Sequence, residues 1–348
     1  MNSENFSKGS RTRSTAVLAG LLVAVMAMLG STAYAAPNPP ITTAVRTLIQ
    51  RVPDTYITHD GVTRRVGGMN GLVIVGDDDA YVLKSDHAGT DQTGWATFSH
   101  INDFNTPNAV TGNYTVRMKG SSEPYSLGHA NGLEYYRTPG TDFLEVGSFY
   151  VPMLKAPGDH QIAQLNNQGE ITKLFKARKG ASNKKIASLA YKGNGTWIVG
   201  TAGETVVDPN DSTILRRPYY TATIVGDYFE LGTKFYVPTT TTFNIGQDIY
   251  YDKAKDQLLI PVWDGKNTVG TATGLKNRVI VATLGTITNN KVYSPARWID
   301  LTVPASAAAL FEFEGIARDS NGKLFVASNI IHPNGVTYID GIHKITGQ

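Results

Sequence analysis

One short pattern recurs five times along this chain: a polar or small pair, an apolar run, a turn, and a second apolar run. It reads "NGLVIVGDDDAYVLKS" from Asn70, "NGLEYYRTPGTDFLEVGS" from Asn131, "ASLAYKGNGTWIVGT" from Ala187, "QDIYYDKAKDQLLIPVWD" from Gln247 and "EGIARDSNGKLFVAS" from Glu314. Anchored on Gly71, Gly132, Ser188, Asp248 and Gly315, successive copies stand 61, 56, 60 and 67 residues apart. Self-similarity at that period marks a repeat architecture. The runs are rich in Val, Ile, Tyr, Phe and Thr and are cut by Gly, Asn and Asp, which is the chemistry of strands and turns. Further strand material closes each unit, as in "HQIAQLNNQGEITKLF" and "YYTATIVGDYFEL", giving about four strands per unit. Four-stranded sheets repeated radially make a β-propeller, so the expected fold is all-β: a five-bladed propeller, with six blades as the alternative. A solenoid fits less well, because the units are long, the strands uneven and no capping repeat is visible.

Only residues 315–348 follow the last anchor, too few for a full unit. The ring then needs strand material from the other terminus, and "DTYITHDG", Asp54 to Gly61, is the expected closing strand. Closure would remove the open edges that invite aggregation. Ahead of it, "PPITTAVRTLIQRVPD" places Ile41, Ala44, Val45, Leu48 and Ile49 on one helical face between prolines, which predicts a short N-terminal helix. A second helical turn is expected at Pro304 to Phe311.

Residues 1–35 carry Lys8, Arg11 and Arg13, an apolar run from Ala16 to Leu29, and then Ala33-Tyr34-Ala35. This is the anatomy of a secretory signal cut after Ala35, which predicts a secreted, extracellular protein with residues 36–348 as one propeller domain. The apolar run is shorter than the roughly 20 residues a membrane span needs, and no transmembrane segment is expected in the mature chain. Cysteine is absent, which excludes disulfides and thiolate metal sites. The formal charge of +3 falls to about +1 without the signal, so no nucleic-acid partner is expected. The basic stretch "KLFKARKGASNKK", Lys173 to Lys185, reads as a solvated edge, with a polyanion or cell-wall contact as the alternative.

In a propeller the residues that open each unit converge on the central channel. Those residues are Asn70, His129, Asn131, Gln247, Asp248, Glu312 and Glu314, with Ser188 from the third unit; Glu312 and Glu314 fall just before the first strand of theirs. Carboxylates and amide oxygens meeting at one mouth suit a hard cation such as Ca²⁺, or another divalent ion, with Asn131, Asp248 and Glu314 as ligands. His129 suits a hydrogen-bonding or proton-transfer role better. The alternative is that these side chains only satisfy turn backbone. Asp248 with Glu312 or Glu314 would also be the pair to test for glycoside hydrolysis. Trp95, Tyr135, Tyr136, Tyr250, Tyr251 and Trp263 could line a sugar groove, although packing between blades is their expected fate. "GDDDAY", Gly76 to Tyr81, reads as a turn, since its aspartates are adjacent where a calcium loop alternates them.

"FEGIARDSNGKLFVAS" resembles the repeat of NHL, strictosidine-synthase-like and SMP-30/gluconolactonase propellers, and "GHANGLEYY" and "GQDIYYD" look like repeats of secreted bacterial propellers. In the gluconolactonase-like enzymes a Glu with Asn and Asp from other blades holds a divalent cation that polarises a lactone. That resemblance implies such a role for Glu314, with Asn131 and Asp248 beside it. The leading expectation is a module that binds a small ligand, glycan or surface polymer at the channel mouth. The alternatives are a metal-dependent hydrolase of lactones or glycans, with Glu314, Asp248 and His129 as catalytic candidates, and a structural propeller with an inert channel.

Overall fold

The computed structural model describes residues 39–86, 94–106, 109–137, 147–154, 156, 158–243, 245–246, 248–263, 276–302, 310–331 and 340–347. Among the described residues every regular element is a strand, and no helix is long and apolar enough to cross a membrane. Among the described residues most of the strands pair into five four-stranded antiparallel units. The first holds Gly68–Val75, Asp79–Ser85, Ala96–Ile101 and Val110–Thr115. Glu134–Arg137, Gly147–Leu154, Ile162–Leu165 and Glu170–Lys179 form the second. The third is built from Ile186–Gly193, Thr196–Thr201, Asp211–Val225 and Tyr228–Thr240. In the fourth, Tyr250–Asp252, Gln257–Trp263, Lys276–Thr283 and Arg297–Thr302 run in order.

The fifth unit is Leu310–Arg318, Leu324–Ile331 and Gly341–Thr346, and its outer strand is Ile41–Arg51 from the other end of the chain. Residues 41–44 of that strand run parallel to the outer strand of the fourth unit, while residues 45–51 run antiparallel to Gly341–Thr346. The ring is therefore closed from the N-terminal side, as expected, but by a different segment. Ile41–Arg51 is a strand and not a helix. The expected closing segment forms a separate hairpin, Thr55–His59 with Val62–Val66, turned at Asp60-Gly61 with φ of 49° and 73°. Two consecutive positive φ values are what a two-residue hairpin turn requires. Of the second expected helical turn, residues 304–309 lie outside the described residues, and Leu310 and Phe311 belong to a strand. Residues 1–35, the expected signal segment, also lie outside them.

Each sheet is buried on both faces, which is why its strands read as unbroken apolar runs. In Gln257–Trp263, Leu258, Ile260 and Val262 pack toward the third unit, whereas Leu259 packs toward the fifth. Five apolar clusters fill the gaps between neighbours. Tyr81 and Phe98 meet Phe149 and Val151 between the first and second units, and Tyr150 and Phe175 meet Leu189 and Trp197 between the second and third. Phe235 and Ile198 meet Leu258 and Ile260, and Leu259 and Val279 meet Phe313 and Ile316. The last cluster, Phe325 and Ala327 with Met69 and Leu72, joins the fifth unit back to the first. Each large side chain so buried contributes about 1.5–3 kcal/mol. A cycle of sheets with cores between neighbours is a β-propeller.

Around the axis the inner strands approach so closely that side chains are excluded. A Cβ on Gly71 would lie 2.7 Å from the backbone of Gly132 and Leu133, and one on Gly315 would lie 2.7 Å from the amide nitrogen of Leu72. The Gly132 amide donates to the Asn70 carbonyl at 2.8 Å across the first and second units. The recurrent glycine of the repeat is thus a condition of inter-unit contact.

Candidate functional site

In the first, third and fifth units the ladder of the inner strand is irregular at the residue just before that position. In the first unit the register shifts between Met69 and Gly71, and in the fifth between Phe313 and Gly315, so Asn70 and Glu314 are the bulged residues. A bulge takes one residue out of the pairing and re-aims its side chain. Glu312 and Glu314 accordingly sit inside the strand Leu310–Arg318, not ahead of it. Asn131 holds the corresponding place beside Gly132, where its amide donates to the Pro152 carbonyl at 3.2 Å. Gln247, the fourth unit's equivalent, lies outside the described residues.

Asp248 occupies the position that is glycine in three other units. Its side chain fits because Gly132, with φ of 102°, offers no Cβ against it. Asp248 Oδ1 accepts the Ile249 amide at 2.8 Å, and the carboxyl also faces the amides of Ile316 and Leu133, so one group touches the second, fourth and fifth units. Its Oδ2 is buried without a hydrogen-bond partner. Burial above all, and then the charge of Glu134, pushes the Asp248 carboxyl well above the usual range. Glu134 itself is pushed up to about 8 by burial, against the pull of the Tyr191 and Tyr135 amides.

Glu312 and Glu314 hydrogen-bond to each other. Burial, the Glu312 charge, and more distantly Asp248 and Asp340 hold Glu314 well above its ordinary value. Glu312 is raised by burial and restrained by its bonds to Glu314 and Asn329. Two carboxyls in hydrogen-bond contact must share at least one proton, and burial favours that state for both; Glu314 is 1% exposed, and Glu312 is the more accessible partner. Asn329 Nδ2 lies 3.5 Å from Glu312 Oε2. Asn70 Oδ1 accepts the Ser85 hydroxyl at 2.6 Å. Asn70 Nδ2, Asn131 Oδ1 and Asn329 Oδ1 are buried with no partner, leaving both donors and acceptors unspent.

Asn70, Asn131, Asp248 and Glu314 thus lie where their units open and neighbouring units touch, with Glu312 beside Glu314. Ser188 faces the same Asp248 from the third unit. His129 stands opposite Leu154 in a two-residue ladder. Sequence reading passed over Glu134, although it lies in the quoted "NGLEYY", and Asp340, which no repeat pattern marks. The expected cation site does not assemble: among the described residues no three His, Asp or Glu side chains are placed to hold a metal. Tyr135, Tyr136, Tyr250 and Tyr251 pack against the cores between units, and Trp263 is 8% exposed. Trp95 meets His59 edge-on and lies under Arg64. In the basic stretch, Lys173, Lys176, Arg178 and Lys184 pair with Asp227, Asp159, Glu230 and Glu204, which neutralises most of its charge.

No protein-family model and no curated protein matches the chain. Similar solved structures include a GH43_1 enzyme from Xanthomonas citri complexed with xylotriose, at 11% identity over 84% of this chain and 89% of that one, with a TM-score of 0.48. CoXyl43, a GH43 β-xylosidase/α-arabinofuranosidase from a compost microbial metagenome in calcium-free form, shows 12% identity over 80% and 91%, with a TM-score of 0.46. Sucrose-6-phosphate hydrolase from Lactobacillus gasseri shows 10% identity over 81% of this chain and 58% of that one, with a TM-score of 0.40. At these values the likeness does not extend to function. The class defined by the chain's own geometry is a β-propeller with a carboxyl cluster on its axis.

Proposed function

We propose that the propeller binds the end of a glycan at its axial mouth and hydrolyses a glycosidic bond there. The observation that carries this reading is the hydrogen-bonded pair Glu312–Glu314, two buried carboxyls that share a proton. Acetal hydrolysis needs one proton delivered to the leaving oxygen and one removed from the attacking water; carboxyls in direct contact are too close together to flank the bond from opposite sides, so the pair acts as a single acid that gives its proton to the leaving oxygen and takes one back from the water. Glu312 is the group that meets substrate, and Glu314 behind it supplies and recovers the proton. The unspent amide groups of Asn70, Asn131 and Asn329 suit sugar hydroxyls, which both donate and accept. We place this reaction outside the cell on the composition of residues 1–35. A gluconolactonase-like reaction through a divalent cation is the weaker alternative, because among the described residues no three His, Asp or Glu side chains are placed to hold a metal.

The test is release of reducing ends from a panel of aryl glycosides and oligosaccharides. Glu312→Gln and Glu314→Gln should each lower kcat by about 10²-fold or more with an unchanged melting temperature. A second reading rests on the near-complete burial of Glu314 and Asp248, at 1% each: a module that binds glycans without cleaving them. Saturable glycan binding with no turnover across the panel would establish it and overturn the hydrolase.

A further inference from the structure

Just before the inner strand of the first unit stands the hairpin Thr55–His59 with Val62–Val66, and its faces differ. The inward face is pinned to the ring. Ile57 and Val66 are buried, Thr55 Oγ1 donates to Thr97 Oγ1 at 3.1 Å, and Arg64 reaches the Asp86 carboxylate at 3.3 Å from over the Trp95 ring. His59 Nε2 stands 3.0 Å from Glu123 Oε2. The register sets Tyr56 opposite Arg65 and Thr58 opposite Thr63, so these residues share the outward face. Tyr56 is 69% exposed, the most of any large apolar side chain among the described residues. Across from it Arg65 is held in place by Asp54, and beside it the Thr58 and Thr63 hydroxyls bond to each other at 2.9 Å. That bond spends one donor and one acceptor site and leaves the rest for a ligand.

The hairpin rises from the end of the ring where the carboxyl pair lies. Lys84, opposite Met69 at the start of the first unit's inner strand, pairs with both Asp54 and Asp340. Asp340 leads into Gly341, which stands opposite Ser328; Ser328 in turn faces Phe313, between Glu312 and Glu314. Past the other end of the same inner strands the Ser320 amide donates to the Gly76 carbonyl at 2.9 Å. Tyr56 therefore stands on the same face of the propeller as Glu312.

We propose that this outward face is a sugar-binding platform for the outlying units of a glycan whose end lies at the axial mouth, with Tyr56 under a sugar ring and Thr58 and Thr63 at its hydroxyls. A sugar ring presents C–H groups on its faces and hydroxyls around its rim, and an aromatic face flanked by hydroxyls is complementary to both. The patch spans roughly 7 Å along the strands and 5 Å across them. That suits a single ring and falls far short of the ~800 Å² per partner that a stable protein contact buries. Because the inward contacts fix the backbone, little conformational freedom is lost when a ligand arrives. The platform deepens the glycan reading of the mouth and rests on it for the identity of its ligand. It makes that ligand an oligosaccharide, held by more units than the one at the carboxyl pair.

The experiment is calorimetric titration of the folded chain with cello-, xylo- and manno-oligosaccharides, each from monosaccharide to pentasaccharide. We expect one series to bind with affinity rising at least tenfold between its shortest and longest members. Tyr56→Ala should remove that rise, and Tyr56→Phe, which keeps the ring, should preserve it. A side chain so exposed should be replaced without loss of fold, and equal melting temperatures check this. A rise unaffected by Tyr56→Ala, or no binding in any series, would overturn the platform. Turnover of aryl glycosides with no dependence of binding on Tyr56 would leave the hydrolase standing without it. Tyr56-dependent binding without turnover would leave the platform and overturn the hydrolase.

Discussion

Lys84 Nζ stands 3.0 Å from Asp340 Oδ2, and neither side chain is more than 1% exposed. The same ammonium reaches Asp54 at 2.8 Å and the carbonyls of Val52 and Pro53 at 3.1 and 3.2 Å. One buried cation therefore ties the second strand of the first unit to the segment that enters the third strand of the fifth, across the seam of the ring. Removing it would strand a buried carboxylate. Lys84→Met is expected to cost about 3–5 kcal/mol, measured by urea denaturation, and adding Asp340→Asn should return part of the loss.

The axis offers a cleaner steric test. Gly71 has an ordinary backbone conformation, so an alanine there meets only the neighbouring backbone at 2.7 Å. Backbone cannot swing aside as a flexible side chain can. Gly71→Ala should destabilise by roughly 3 kcal/mol or more, in the class of overpacked cores. Gly226, with φ of 60° and nothing within 4 Å, serves as the control. Gly226→Ala should cost only about 1–2 kcal/mol, and thermal melts of the two variants compare them directly.

Stability should fall as the solution becomes more alkaline. A carboxyl whose value is higher folded than unfolded binds its proton more tightly in the native state, so the native state loses ground as pH rises between the two values. For Glu134 that window runs from 4.5 to about 8, and Glu314 and Asp248 act in the same direction. Melting temperatures measured from pH 6.5 to 8, above the range in which the buried neutral His343 acts in the opposite direction, should decline. Glu134→Gln should flatten the decline, and a slope identical to the parent's would contradict this account of the group.

Much of the ring was legible because the repeat is written in residue types that the geometry demands. Gly71, Gly132 and Gly315 recur where strands touch, and apolar runs recur where sheets are covered on both faces. The first strand was misread for a physical reason. In Ile41–Arg51, six of eleven residues are β-branched, but a register shift between Leu48 and Gln50 breaks the alternation that would have declared a strand. What remained was an apolar spacing that mimics a helix. Asp60-Gly61 carried a hairpin signal all along, and only the search for a closing strand obscured it. At the axis, the repeat located Asn70 and Glu314, yet their bulges, the Glu312–Glu314 bond and the turning of Asp248 onto three amides depend on contacts between distant units.

The pairing of Val45 with Thr346 sets the order in which the molecule can come into being. The strand made first cannot find its partner until the strand made last exists, and about 300 residues of chain must then be looped, at an entropic cost of about 5 kcal/mol. Contacts so remote in sequence also slow folding. Until Gly341–Thr346 has been made, the chain is an unlocked necklace, and the clasp shuts only when that strand meets Ile41–Arg51.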